Sequence, residues 1–451
     1  MKNSGSRPVV LIAIHNELIY RDLVSTGVLA ALAHRFDFRF LVSVNIATTE
    51  LEKIGTVAAV FAGGVLRSSL WNIIVILGSI HLWRPITGPL AKEYFNRKKD
   101  DNYSLMLRCL VLADRLGLAP ALCAVGRWIL METVTRAVNG KRLGRPDLVV
   151  APTGLRDLIA DDLVRWGVRR KIPTIFLQIN SDVFNMKVPT SRAAYFALWG
   201  DQSWYMARLV YGYATSRLKI IGSARFDIYD RVRLSRADAR RSLDLPADGA
   251  VMLFCGGTAP FDEIRALDQL DAAIKAGSLP KDLLVLYKPH PKGQAKGATV
   301  EFGADRYEHI RLVTGRGPTN WDLPDLYPVL FNSVNGVISP YSTMGVEAAL
   351  HGLPVLCVGY HPGRFERYWK WAREFTHLQV YRDKIWCVTC HDEREFLPGV
   401  QKILQMSLDP TICEAARNEV RVISLRDGKM YADRLACCFD EVLSEGNWRP
   451  G

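Results

Sequence analysis

The sequence predicts an α/β protein built from two parallel-sheet domains. Apolar runs of strand length alternate with helical segments almost throughout. The chain of 451 residues is longer than one core usually organises. The alternation also stops and restarts. Residues 230–248 are dense in Arg and Asp, lack strand character and end in Leu245-Pro246-Ala247-Asp248-Gly249, a helix stop followed by a linker. The expected domains are therefore 1–245 and 246–435, with 436–451 as the end of a last helix and a tail. That helix, from about Asp427 to Leu443, is expected to cross back onto the first domain. No internal repeat or low-complexity stretch appears.

In order, Val9-Val10-Leu11-Ile12-Ala13-Ile14 reads as the first strand, residues 22–34 as an amphipathic helix and 38–44 as the second strand. Residues 53–140 read as mainly helical. Strands follow at 148–151, 174–178, 195–199 and 219–222. The second series opens with Val251-Met252-Leu253-Phe254-Cys255-Gly256-Gly257-Thr258 and continues through Leu283-Leu284-Val285-Leu286-Tyr287-Lys288 and two strands around Ile338 and Val355.

Composition narrows the partners. The chain is 49% hydrophobic and 23% charged, as a folded globular protein should be. Its formal charge of +12 is unevenly placed. Residues 1–200 hold 26 Lys and Arg against 15 Asp and Glu, the remainder 32 against 31. The N-terminal half is thus expected to face something anionic, either a phosphate-linked acceptor or the inner-membrane surface. Nucleic acid is not expected, because the arginines are scattered among apolar residues and no nucleic-acid-binding motif is present.

No stretch is long enough to span a bilayer. Ile54 to Leu66 and Ser68 to Trp83 are split by Arg67, and each falls short of the ~18 to 20 residues required. With Trp71, His81, Trp83 and Arg84 and the basic patch Lys92, Arg97, Lys98 and Lys99, this region reads either as an interfacial segment or as a buried helix pair beside a solvated loop. The nine cysteines sit mostly in apolar runs, and Met1 leads straight into a strand, so a reduced cytoplasmic protein is expected, peripheral to the membrane. Cys387-Val388-Thr389-Cys390-His391 has the spacing of a haem attachment or a redox or zinc pair, but without supporting context it reads as chance placement.

The chemistry concentrates at two places in the second domain. In Ser339-Pro340-Tyr341-Ser342-Thr343-Met344-Gly345-Val346-Glu347, a strand turns into a helix. Ser342 and Thr343 occupy N-cap positions, where hydroxyls and unpaired N–H groups bind anions. Gly345 allows close approach to the backbone, and Glu347 lies one turn further in, where it suits a ribose diol. Upstream, Lys288-Pro289-His290-Pro291 ends a strand with a cation and an imidazole on a rigid corner. Two domains with phosphate-binding turns in the second imply a central cleft between them, in which a nucleotide meets a substrate. Such an architecture of two Rossmann-like domains is that of GT-B transferases.

These residues resemble a known group, the bacterial GT-B transferases of surface polysaccharides, which include CDP-glycerol glycerophosphotransferases and capsule Kdo and sialic acid transferases. The resemblance rests on Lys288-Pro289-His290-Pro291, on Ser339 to Thr343 with Glu347 and Gly352-Leu353-Pro354, and on Leu198-Trp199-Gly200-Asp201-Gln202-Ser203 followed by Ile221 to Asp227. It covers roughly residues 145–435. It implies that His290 contacts the donor phosphate, that Ser342 and Thr343 hold further phosphate oxygens, and that Glu347 binds ribose. Lys288 would add a cation, and Gly256, Gly257 and Thr258 would pass close to the donor or form the turn facing it. Arg225 and Asp227 would reach the donor or pair with each other.

A catalytic base, if the enzyme inverts, should come from a strand exit of the first domain. The candidates are His15, Glu17, Asp157 and Asp182, of which at most one is expected to act. The resulting expectation is a cytoplasmic glycosyltransferase or glycerophosphotransferase, without metal or tightly bound cofactor. It would move a unit from a nucleotide-activated donor, CMP- or CDP-linked in preference to UDP-linked, to a lipid-linked or polymeric glycan. The alternatives are a hydrolysing UDP-sugar 2-epimerase and a non-catalytic glycan-binding protein of the same fold.

Overall fold

The computed structural model describes residues 6–61, 65–83, 103–129, 143–153, 158–181, 191–232, 234–257, 261–290, 302–313, 324–361 and 376–445. The chain forms two compact units, residues 1–227 with 423–451, and residues 228–422. The first holds a seven-stranded sheet of order β3-β2-β1-β4-β5-β6-β7. Its strands are β1 (Val9–Ile14), β2 (Asp37–Ser43), β3 (Thr56–Phe61), β4 (Leu148–Thr153), β5 (Thr174–Gln178), β6 (Tyr195–Leu198) and β7 (Leu218–Ile220). The second holds a six-stranded sheet of order β10-β9-β8-β11-β12-β13. Its strands are β8 (Val251–Cys255), β9 (Leu284–Lys288), β10 (Ile310–Leu312), β11 (Gly336–Pro340), β12 (Val355–Val358) and β13 (Cys387–Cys390).

Every pairing is parallel. Helices cover both faces of such sheets, which explains why β4, β5, β8, β9, β11 and β12 are buried at every position and read as unbroken apolar runs. In each sheet the strand order reverses once, between β1 and β4 in the first and between β8 and β11 in the second. Ligands of open α/β sheets bind outside the carboxyl ends of strands at such reversals.

Three expectations differ from the structure. Residues 56–61, read as part of a helical stretch, form the edge strand β3 beside β2. The helix expected over 22–34 is interrupted. Helix Glu17–Tyr20 runs into a π-turn over Arg21–Ser25, and Gly27 at φ 79° breaks the chain before helix Val28–Leu32. The boundary expected at 245/246 lies inside the second unit. Helix Arg236–Ser242 belongs there because the buried guanidinium of Arg240 donates from Nε to the Ser333 carbonyl at 3.0 Å and from Nη2 to Asn335 Oδ1 at 3.1 Å.

The last helix, Tyr431–Ser444, lies in the first unit. Tyr431, Leu435, Phe439 and Val442 join the core formed by β1, β2 and β4. Buried Arg434 bonds to Asp227 at 3.0 Å, to Asp427 at 2.8 Å and to the Ile221 carbonyl at 2.7 Å.

Helix Val65–Trp83 is also part of the first unit, and its apolar side is core. Trp71, Ile74, Val75, Ile76, Leu77 and Ile80 are buried, and the Trp71 indole donates to Asp161 at 3.1 Å. The interfacial reading of this helix is therefore replaced by the buried one. Trp83 and Arg84 to Lys99 contribute no described side chain.

Candidate functional site

In the second unit the carboxyl ends of β9, β8 and β11 are neighbours. Adjacent strands lie about 4.8 Å apart, so the three ends together span roughly 10 Å, enough for a diphosphate and its first ribose. β8 leads directly into Gly256 and Gly257. The Gly256 N–H donates to the Lys288 carbonyl at 2.8 Å. A Cβ on Gly256 would lie 2.5 Å from Glu263 Oε2 and 2.8 Å from the backbone nitrogen of His290. A Cβ on Gly257 would meet the Pro340 ring at 3.0 Å. Glycine is thus required here by close approach, which draws the His290 corner and the β11 turn in on the end of β8.

Glu263, at the start of helix Glu263–Lys275, fixes this turn. It accepts from the Gly257 N–H at 3.0 Å and from the Tyr287 hydroxyl at 2.6 Å. Burial raises its pKa above the usual carboxylate value, and these two donors partly offset the shift. Lys288 is buried at the end of β9, and His290, half-buried, follows two residues later. Burial also pushes the Cys255 thiol well up, so it is not a nucleophile at neutral pH. Thr258 lies outside the described residues.

At the end of β11, Ser342 caps helix Thr343–Leu350, its side chain accepting from the Met344 N–H at 3.2 Å. Its hydroxyl also lies 2.8 Å from that of Ser339. The Tyr381 hydroxyl donates to the Ser342 carbonyl. Tyr381 supplies a further reason for Gly345: a Cβ there would lie 2.6 Å from the Tyr381 hydroxyl oxygen. Glu347, one turn in, is 2% exposed, and its Oε2 accepts from the Tyr229 hydroxyl. The Tyr229 ring packs edge-on to His351 at 4.6 Å and to Phe331 at 5.9 Å. Tyr229, Glu263, Tyr287 and Tyr381 escaped the reading of the sequence, because only three-dimensional proximity ties them to the turns they hold.

In the first unit His15 follows β1 directly and is half-buried. Asn16 caps the next helix by accepting from the Ile19 N–H at 3.0 Å, and Glu17 occupies its first turn. Both candidates thus flank the strand reversal of this sheet, whereas Asp157 and Asp182 lie outside the described residues. A second acid nearby, Asp22, is buried and held at 2.8 Å by Arg21 and at 3.2 Å by Arg225. Arg225 and Asp227 therefore do not form the pair with each other that the sequence allowed; Asp227 is bound by Arg434 and by the Tyr431 N–H.

The two tracts around Trp199 and Arg225 are joined. The Arg225 guanidinium lies 5.4 Å from the Trp199 ring centroid, and the indole and backbone N–H of Trp199 both bond to Gln178 at 2.8 Å. Among the described residues no group of three or more His, Cys, Asp or Glu is arranged to hold a metal ion. Cys387 and Cys390 lie on β13, with Cys390 buried.

No protein-family model matches the chain, and no curated protein matches it in sequence. Solved structures do. The UDP-N-acetylglucosamine 2-epimerase of Rickettsia bellii is 12% identical, with a TM-score of 0.52 over 98% of both chains. The calicheamicin glycosyltransferase is 12% identical, with a TM-score of 0.52 over 98% of this chain and 100% of its own. The wall teichoic acid polymerase TagF, soaked with CDPG, is 14% identical, with a TM-score of 0.50 over 97% of this chain and 88% of its own. The fold is GT-B. At these identities the likeness extends to architecture, and the chemistry must be argued from this chain's own residues.

Proposed function

We propose that the protein is a glycosyltransferase or glycerophosphotransferase that takes a unit from a nucleotide-activated donor and passes it to a lipid-linked or polymeric glycan at the cytoplasmic side of a membrane. The observation that carries this reading is the convergence at one strand reversal of the capped helix at Ser342, the glycine turn at Gly256 and Gly257, and the His290 corner.

In this reading the departing nucleotide leaves negative charge on phosphate. The first N–H groups of helix Thr343–Leu350, with Ser342 and Thr343, stabilise that charge without reorganising. His290 and Lys288 contribute a donor and a positive charge to the same phosphates. Glu347, oriented by Tyr229, meets the ribose. Gly345 permits the close packing of Tyr381 that steadies the turn. His15 or Glu17 accepts the acceptor's proton if the reaction inverts, with Asp157 and Asp182 as the other candidates. A cytidine nucleotide is the preferred donor carrier, and no tightly bound cofactor enters the scheme.

The test is nucleotide-induced thermal stabilisation across CMP, CDP, UDP, GDP and dTDP, followed by turnover of the linked donor. His290→Ala should abolish turnover and most of the stabilisation; unaltered activity would remove His290 from the site. Conversion of free UDP-sugar without acceptor would instead establish the epimerase reading, which the same fold accommodates. Absence of any nucleotide response would leave a non-catalytic glycan-binding protein.

A further inference from the structure

Two helices of the first unit, Tyr103–Arg115 and Ala119–Ile129, carry leucine on their outer faces. Their inner faces are accounted for. Met106, Leu110 and Val111 pack on Ile76 and Ile80, and Ala119 and Cys123 on Trp71, Ile74 and Val75, all from helix Val65–Trp83. His81 of that helix pairs with buried Asp114 at 2.8 Å. Among the described residues the outer faces have no such cover. Leu105, Leu112 and Leu116 are 67%, 55% and 64% exposed, and Leu118, Leu122, Val125 and Ile129 are between 45% and 58% exposed.

The spacing makes each set a stripe. Residues 105, 112 and 116, completed by exposed Cys109, and residues 118, 122, 125 and 129 both follow i, i+4, i+7, i+11, which is one face of a helix. These seven are nearly half of the fifteen large hydrophobic residues exposed among the described residues, gathered within 25 positions. Solitary exposed apolar residues are ordinary, whereas a contiguous set marks an interaction surface.

Charge identifies the partner. Arg108 and Arg115, both exposed, border the first stripe. The one acid among the described side chains of the two helices, Asp114, is buried, which leaves the outer faces with positive charge only. A second copy of the chain would bring the same positive field against itself, whereas an anionic lipid surface complements it. At 13 and 11 residues the helices are too short to span a bilayer, which takes about 20. They bend by 116° between residues 108–115 and 119–126, and no single described helix is long and apolar enough to cross.

We propose that these two outer faces dock on an anionic phospholipid surface, with the leucines at the boundary between headgroups and acyl chains and the arginines among the headgroups. The proposal deepens the transferase reading by naming the surface that meets the membrane, and since it uses no residue of the nucleotide site, its test can fail without that reading failing.

Co-sedimentation of the full chain with vesicles of phosphatidylcholine containing phosphatidylglycerol, and with phosphatidylcholine alone, tests it. The parent should bind the anionic vesicles more tightly and lose binding as salt rises. Changing Leu105, Leu112, Leu118 and Leu122 together to Ser should lower the partition coefficient at least roughly a hundredfold. Arg108→Gln with Arg115→Gln should lower it about thirtyfold on anionic vesicles and little on neutral ones. Because all these side chains are exposed, thermal unfolding should be unchanged, which separates lost docking from lost folding. Equal binding by parent and leucine variant, or no binding by the parent, would overturn the proposal. A lipid-free dimer that the leucine variant dissociates would also overturn it, since the face would then join two copies of the chain.

Discussion

Replacing Tyr229 by Phe removes one oxygen from the second unit and tests how Glu347 is held. Tyr229 is 7% and Glu347 2% exposed, so no bulk water replaces the hydroxyl on the carboxylate. The ring contacts to His351 and Phe331 survive in phenylalanine, leaving the hydrogen bond as the difference. A hydrogen bond to a charged group contributes about 1.5–3 kcal/mol. In a unit of the size of residues 228–422, each kcal/mol moves the melting temperature by about 2–4 °C, so a loss near 2 kcal/mol predicts a fall of about 4–8 °C. Calorimetry of the full chain should show it in one transition. A cycle with Glu347→Met should return a coupling energy of similar size, because each single change removes the same bond. If Tyr229→Phe melts within a degree of the parent, or the two changes are additive, the hydroxyl does not hold Glu347 and the orientation argument fails.

Gly345→Ala sets the preference of a helix for alanine, about 0.5–1 kcal/mol, against overpacking on the buried Tyr381, about 1–3 kcal/mol. A net loss of stability is expected by denaturant unfolding, partly recovered when Tyr381→Phe is added; a stabilised variant would mean that the ring moves freely. Glu263 gives a pH signature. Its pKa is raised in the folded chain by burial, so the folded state keeps a proton that the unfolded state releases above about pH 4.3. Its contribution is complete below that value and is lost as pH rises through the raised one. Relative to the parent, Glu263→Gln should therefore gain melting temperature as pH rises above about 4.3, and parallel pH profiles for the two proteins would refute the assignment.

The parallel sheets were legible because buried strands announce themselves as apolar runs, as at Leu148 to Ala151 and Val251 to Cys255. The edge strand β3 was not, because Thr56 to Phe61 sits inside a longer apolar run that a helix fits equally well. Among the site residues, Ser342 was visible from its cap position, which is a local property of the chain. The partners that set the turns were invisible, since Tyr229 lies 118 residues from Glu347 and Tyr381 lies 39 from Ser342. Helix Val65–Trp83 is apolar because it is the inner layer, while the exposed leucines of helix Tyr103–Arg115 alternate with polar residues that mask them in the sequence.

The return of residues 423–451 to the first unit makes the second an insertion within it. During synthesis the β-sheet of the first unit is complete by residue 220, yet the core formed by β1, β2 and β4 lacks Tyr431, Leu435 and Phe439 until those residues have been added. At about 5–20 residues per second, the 195 residues in between delay that closure by roughly 10–40 s. Residues 228–422 can meanwhile fold as a continuous stretch. The nascent protein therefore emerges with its second unit able to close first and its first unit open along one side, at the stage when a chaperone would find it.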